Sequence, residues 1–321
     1  MFIYRYRQVF LGWVAVMVLF SLVGGSFGCT GAERRPQGDR DLGQEPTISL
    51  YIAETGEKKE IKLEEYIQGV VAAEMEPAWP INALAAQAIL ARTFTLERIK
   101  TTGGVPARGT DASTNVEEFQ AYNPKRINQA VIDAVKKTRG EVVKYQGKYI
   151  KAWFFADSGG VTAASAEEGL AYTKEPSPYI RSVKDPGAKI TTAENKAWRA
   201  EFSLDKVRAA VKQAAGQDPG AITAVKIVQR GESGRAMKIQ IGKVTVSGPA
   251  LRLALGSEEM RSTLLTEFAL SNGKLVIAGK GFGHGVGMSQ WGARALAEQG
   301  RSPEEIIRYF YKGVQIEKEW D

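Results

Sequence analysis

The chain has 321 residues, 44% hydrophobic and 25% charged, an ordinary globular composition for one large domain or two small ones. Its net charge of +7 and pI near 9.3 suit an anionic setting such as a cell envelope. The excess is spread along the chain with no basic run and no nucleic-acid motif, so no nucleic-acid partner is expected.

The amino terminus opens with a short basic segment, Tyr4-Arg5-Tyr6-Arg7, followed by an apolar run from Val9 to Val23. This pattern predicts a secretory signal or membrane anchor over 1–28, outside the fold. Cys29, the only cysteine, stands where a lipoprotein signal would place its lipidated residue; Ser26 and Phe27 fit that cleavage motif imperfectly, so an uncleaved anchor is the rival. Either version delivers the protein outside the cytoplasm, held on a membrane. With one cysteine there is no intramolecular disulfide. Residues 29–45 are polar with Gly and Pro and no periodicity, which predicts a flexible tether.

Order is expected from residue 46 onward. Thr47 to Ala53 and Lys58 to Lys62 read as a hairpin that feeds a helix over Leu63 to Glu74. Leu63, Ile67 and Val70 make one apolar stripe, and Glu74 continues it with a carboxyl group where an apolar residue would fit. Pro77 and Pro80 break the helix. A second helix from about Ile81 to Lys100 is apolar almost all round between Ala83 and Phe94, except for Gln87 and Arg92, and is therefore buried.

The segment Thr101 to Ala121 is longer than the ~15 residues a structureless loop normally reaches, which marks it as functional or disordered. Asn123-Pro124 predicts a helix start, and Ile127, Val131, Ala134 and Val135 its inner face. Glu141 to Tyr145 and Tyr149 to Phe155 read as a hairpin emptying into the loop Asp157-Ser158-Gly159-Gly160, and 163–200 resists assignment. A helix over Ser203 to Ala215 follows, then strands over Ala221 to Gln229, Ala236 to Ile241 and Lys243 to Ser247. Leu251 to Leu255 reads as a short helix, and Leu265 to Leu270 and Lys274 to Ala278 as strands. Near the carboxyl end, Gly281-Phe282-Gly283-His284-Gly285-Val286-Gly287 precedes a helix capped by Ser289, and Ser302-Pro303-Glu304-Glu305 opens the last helix with a capping box. Alternating hairpins and helices argue an α+β fold packed as one body over 46–321.

The chemistry follows by elimination. The glycine-rich stretch before Ser289 fits neither the dinucleotide fingerprint nor a phosphate loop, so its glycines are read as letting backbone approach a ligand. One histidine and one amino-terminal cysteine cannot supply a His/Cys metal site, so no metal and no cofactor are expected. A serine or cysteine triad is equally poor. What remains is carboxylate chemistry on an envelope polymer, with peptidoglycan the obvious candidate. Burial on the stripe would raise the pKa of Glu74 and keep it protonated as a general acid. On the helix pattern alone, a structural pairing of Glu74 with Arg92 stays open. Glycosidases usually need two carboxylates, for which Asp157 is the candidate partner, but one suffices if the muramic C6 hydroxyl attacks its own anomeric carbon.

Three stretches, VVAAEMEPAWPINALAAQAILARTF, FFADSGGVT and GKGFGHGVGMSQWGARALA, resemble the stage II sporulation protein D (SpoIID/LytB) family over about Thr47 to Asp321. The resemblance implies a membrane-anchored lytic transglycosylase that cleaves glycan strands already stripped of stem peptides, usually beside a cell-wall amidase. It places the catalytic glutamate on Glu74. Gln87 and Arg92 match the family's helix motif, Tyr122 its Gln-x-Tyr, Ser158, Gly159 and Gly160 its small-residue loop, and His284, Gln290 and Trp291 its carboxyl-terminal motif. The His/Cys zinc ligands of some members are missing here. The likeness extends to amidase-enhancing relatives, so a non-catalytic, glycan-binding enhancer of an amidase is the alternative, and sporulation itself does not follow.

Overall fold

The structure, a computed structural model, describes residues 43–321; the expected leader, the Cys29 lipidation site and most of the expected tether lie outside the described residues. Among the described residues no helix is long and apolar enough to cross a membrane. The one described piece of tether that engages the fold is Glu45. Its carboxylate accepts from the Glu64 amide at 3.0 Å and pairs with Arg139 at 2.6 Å, capping a helix whose own N-cap, Lys62, offers no side-chain acceptor.

The fold is mixed α+β, built from several small sheets and packed helices. The hairpin β1 (Thr47–Tyr51) and β2 (Lys58–Lys62) leads into α1 (Leu63–Glu74), and α2 (Ile81–Thr102) follows after the proline corner. The long segment after α2 is tied down: β3 (Ala112–Ser113) adds to β1 in parallel, and Asp111 accepts from the Ser49 amide and hydroxyl. The helix expected from Asn123 begins later. Asn123-Pro124 opens only a 3-10 turn, and the second capping residue, Asn128, accepts from the Val131 amide to start α3 (Gln129–Lys137).

The expected second strand of the next hairpin also divides. Of the expected strand, only β5 (Lys148–Tyr149) pairs with β4 (Glu141–Tyr145), and Phe154 and Phe155 form a separate β6. After α4 (Ala166–Leu170), the stretch that resisted assignment contains α5 (Ala193–Lys196) and leads to β7 (Trp198–Ser203). Then come α6 (Leu204–Ala215), β8 (Val225–Arg230), β9 (Ala236–Ile241), β10 (Val244–Ser247), α7 (Gly248–Leu255), β11 (Leu265–Ser271) and β12 (Lys274–Gly279). The chain closes with β13 (Met288–Ser289), α8 (Gln290–Glu298), α9 (Pro303–Phe310) and β14 (Gln315–Lys318), the last pairing back onto β4.

The buried apolar side chains of the described residues form two clusters. The larger joins α1, α2, α3, β4, α8 and α9, so both ends of the sequence share it. The smaller is made wholly from residues 198–277. The α2 face from Ala83 to Ala91 is fully buried, as its all-round apolarity requires.

Candidate active site

Three elements meet at Glu74. The first is the end of α1: Met75 is already extended, and the corner through Pro77 and Pro80 turns the chain into α2. The second is α2, which packs against both α1 and α8 and carries Gln87 fully buried inside that contact. The third is the start of α8. β13 pairs in parallel with β6, the Trp291 amide donates to the Ala156 carbonyl at 3.1 Å, and Ser289 caps the helix through the Gly292 amide. These bonds set the register of Gln290. Its Nε2 donates to Gln87 Oε1 at 3.4 Å, and its side chain also hydrogen-bonds the Glu74 carboxyl. The buried Gln87 Nε2 has no hydrogen-bond partner among the described residues.

Glu74 itself is half-buried. Burial pushes its pKa up to about 7, against the opposing pull of the Ala121 amide and of Gln290. The Ala121 amide donates to Glu74 Oε1 at 3.1 Å. Its segment is laid along α1, since the next-but-one amide, Asn123, donates to the Gly69 carbonyl at 3.0 Å. Between them, the half-buried Tyr122 ring covers Gly69 and stacks on Tyr66 at 5.5 Å, nearly parallel at 11°. A Cβ on Gly69 would lie 2.2 Å from that ring. The carboxyl group is thus poised to exchange a proton near neutrality, held by one backbone and one side-chain donor.

Arg92 lies in a buried ion pair with Glu64. It is fully buried, its Nη2 lies 2.7 Å from Glu64 and its Nε 3.0 Å, and its Nη1 donates to the Glu141 carbonyl at 2.8 Å. It therefore does not lower the pKa of Glu74. Glu76, next to the site in sequence, pairs with Arg126 at 2.9 Å.

The small-residue loop is also internally committed. Ser158 is fully buried; its hydroxyl accepts from the Gly160 amide at 3.0 Å and its carbonyl from Arg235 at 2.9 Å. Gly159 adopts a φ of +71° against Lys280 and Leu264, which only glycine enters without strain. Asp157 is pushed up to about 6, mainly by burial, and its neighbours are Thr191, Asp185 and Arg235.

His284 is likewise held by the fold. Its Nδ1 accepts from the Val286 amide at 3.0 Å, the ring lies 5.5 Å from Phe155, and the imidazole hydrogen-bonds the Phe154 backbone. Burial, with Arg252 and Arg235 nearby, holds its pKa down at about 3. Near neutral pH the imidazole is therefore uncharged, with its ring tied to the loop backbone. Among the described residues no group of three or more His, Cys, Asp or Glu side chains could hold a metal ion.

Two features escaped sequence reasoning. The Ala121 amide, as backbone, carries no residue-type signal. Trp79, in the corner after α1, and Trp291, beside Gln290, meet with ring centroids 4.9 Å apart, and Arg294 lies over both.

Residues 51–145, which hold Glu74, Gln87 and the segment across α1, match the family model of the stage II sporulation protein, SpoIID. Over 294 residues the chain is 33% identical to stage II sporulation protein D of Bacillus amyloliquefaciens, covering 85% of this chain and 81% of that protein. The chain belongs to the SpoIID family. Within it, the chain is also 35% identical over 262 residues to an uncharacterized protein of Brachyspira hyodysenteriae, covering 80% of this chain and 67% of that one. It is 29% identical over 294 residues to the amidase enhancer of Bacillus subtilis, of whose length it spans 40%. Residues 182–287 match a second model, a domain of unknown function (DUF8618), and this stretch encloses the smaller apolar cluster.

Proposed function

We propose that this SpoIID-family protein is a peptidoglycan lytic transglycosylase that cleaves glycan strands lacking stem peptides. The observation that carries the reading is Glu74: a half-buried carboxyl group raised by burial to a pKa near 7 and held by the Ala121 amide and Gln290. One such group serves both halves of an intramolecular transfer. Protonated Glu74 gives its proton to the glycosidic oxygen as the bond to the muramic C1 breaks, and the released strand leaves with that oxygen as a hydroxyl. Carboxylate Glu74 then takes the proton of the C6 hydroxyl as O6 bonds to C1. The 1,6-anhydro ring closes, no water is consumed, and Glu74 regains its proton. Gln290 and the Ala121 amide hold the carboxylate form between the two steps.

A second reading is supported by the amidase-enhancer relative. In it the protein binds glycan and assists a cell-wall amidase, and Glu74 only hydrogen-bonds sugar. Glu74→Gln separates the two, because it keeps shape and hydrogen bonding but cannot exchange a proton. On amidase-treated strands the variant is expected to retain binding and lose cleavage by about a hundredfold or more; undiminished cleavage would remove Glu74 from the chemistry.

Such a substrate requires the catalytic body outside the cytoplasm, on the membrane through the leader or a lipid on Cys29. Detergent partitioning of the wild type and Cys29→Ala tests the lipid version. Loss of partitioning in the variant is the expected result, and equal partitioning with the leader retained means an uncleaved anchor.

A further inference from the structure

Arg294 has no part in the mechanism above, yet it sits beside it. It lies four residues after Gln290 on α8, so the two side chains share one helical stripe a turn apart, about 5–6 Å between Cβ atoms. Its guanidinium lies 5.3 Å from the Trp79 ring centre and 5.1 Å from that of Trp291. All three side chains are half-buried, and the two indoles come from the same two corners that hold Glu74 and Gln290. Glu298 engages only Nε, at 2.8 Å, which orients the guanidinium while leaving its Nη edge uncommitted among the described residues. A solvent-exposed i,i+4 ion pair needs no such aromatic bed. A guanidinium fixed on two π faces, with one edge available, is the arrangement that recognises a carboxylate by two parallel hydrogen bonds.

We propose that Arg294, bedded on Trp79 and Trp291, is an anion subsite for the lactyl carboxylate of the muramic ring. The proposal rests on the reading of Glu74 as the acid that cleaves glycan. The lactyl group stands on the ring whose C1 is attacked, a ring's width from the scissile bond. While the stem peptide is attached, that carboxyl group is an uncharged amide. Hydrolysis of the amide leaves a free carboxylate, one per disaccharide, so the stripped strand is a polyanion and the intact one lacks this charge. Arg294 thereby discriminates stripped from intact strands by charge at a single position.

The test is equilibrium binding by the full-length protein in the non-cleaving Glu74→Gln background, with two ligands. One is amidase-treated glycan strands; the other is the same strands with lactyl carboxylates capped as methylamides. Glu74→Gln is expected to prefer the free carboxylate by about tenfold or more, the usual size of a hydrogen bond to a charged group. Adding Arg294→Gln should abolish the preference by lowering affinity for the charged strand to that of the capped one. The affinity for capped strands then reports an intact fold. Arg294→Lys, a point charge without the fork, should restore part of the preference. A preference that survives Arg294→Gln, or is absent in Glu74→Gln, overturns the subsite while leaving the cleavage reading standing. Failure of Glu74→Gln to bind either strand overturns both.

Discussion

The proton on Glu74 has a thermodynamic consequence separate from any proposed chemistry. The folded pKa is near 7 and the ordinary value is 4.5, so between these the native state holds a proton that the unfolded chain has lost. Stability from this group is therefore full below about pH 4.5 and is lost as pH rises through 7. Glu74→Gln removes the dependence. The variant should be more stable than wild type at pH 8, by about 2 kcal/mol once the partial exposure of the group is allowed for, with the advantage shrinking toward pH 4.5. Denaturant titrations at the two pH values check this; a constant difference would mean that Glu74 is an ordinary ionised carboxylate. Asp157, also raised, acts in the same direction, and His284, held at about 3, acts oppositely by losing stability as pH falls below 6.5. Both contributions cancel in the wild-type-minus-variant difference. At this scale the sequence singled out Glu74 as a break in an apolar stripe, and the structure gives that carboxyl group a raised pKa. The sequence could not rank the residues around it, because Arg92 and His284 are as distinctive by type as Gln290 and differ only in where they point.

The helix carrying Glu74 is held at its other end by a buried charge cluster. Glu64 accepts from Arg92, from the Gly140 amide and from Trp320 Nε1, the last two at 3.0 Å, and so joins α1 to α2, to the start of β4 and to the carboxyl terminus. Arg92→Leu would leave the Glu64 carboxylate buried without its cation, a loss of about 3–5 kcal/mol. Glu64→Gln combined with Arg92→Leu should recover a substantial part of that. Thermal denaturation of the single and double variants reads the outcome; a single variant within about 1 kcal/mol of wild type would mean that the pair is dispensable. Helices were the legible elements. The stripe of α1, the all-round apolarity of α2 and the caps of α8 and α9 are local signals, and the caps at Ser289 and Ser302 act as their residue types imply. β6 was misjudged because its partner, β13, lies more than 130 residues away, and no local pattern announces a two-residue parallel pairing.

Across the whole molecule, the larger core gathers α1, α2, α8 and α9 and so brings residues near 74, 87 and 290 together, while residues 198–277 fold around their own apolar cluster. The two halves are stitched by Arg235, on the approach to β9, which donates to the carbonyls of Ser158 and Val161 at 2.9 Å each. Alternation of hairpins and helices conveyed the α+β class. It could not convey two cores, because only long-range packing separates them. The architecture brings Glu74 to the Ala121 amide and Gln290, and the central claim is that this one group closes an anhydro ring. The most direct measurement is mass spectrometry of the chain ends released by the wild-type protein from amidase-treated glycan strands. The account predicts 1,6-anhydromuramic ends formed without uptake of solvent oxygen when the digestion is run in ¹⁸O water. Reducing ends carrying the label would contradict it and would assign a hydrolysis with water as the nucleophile.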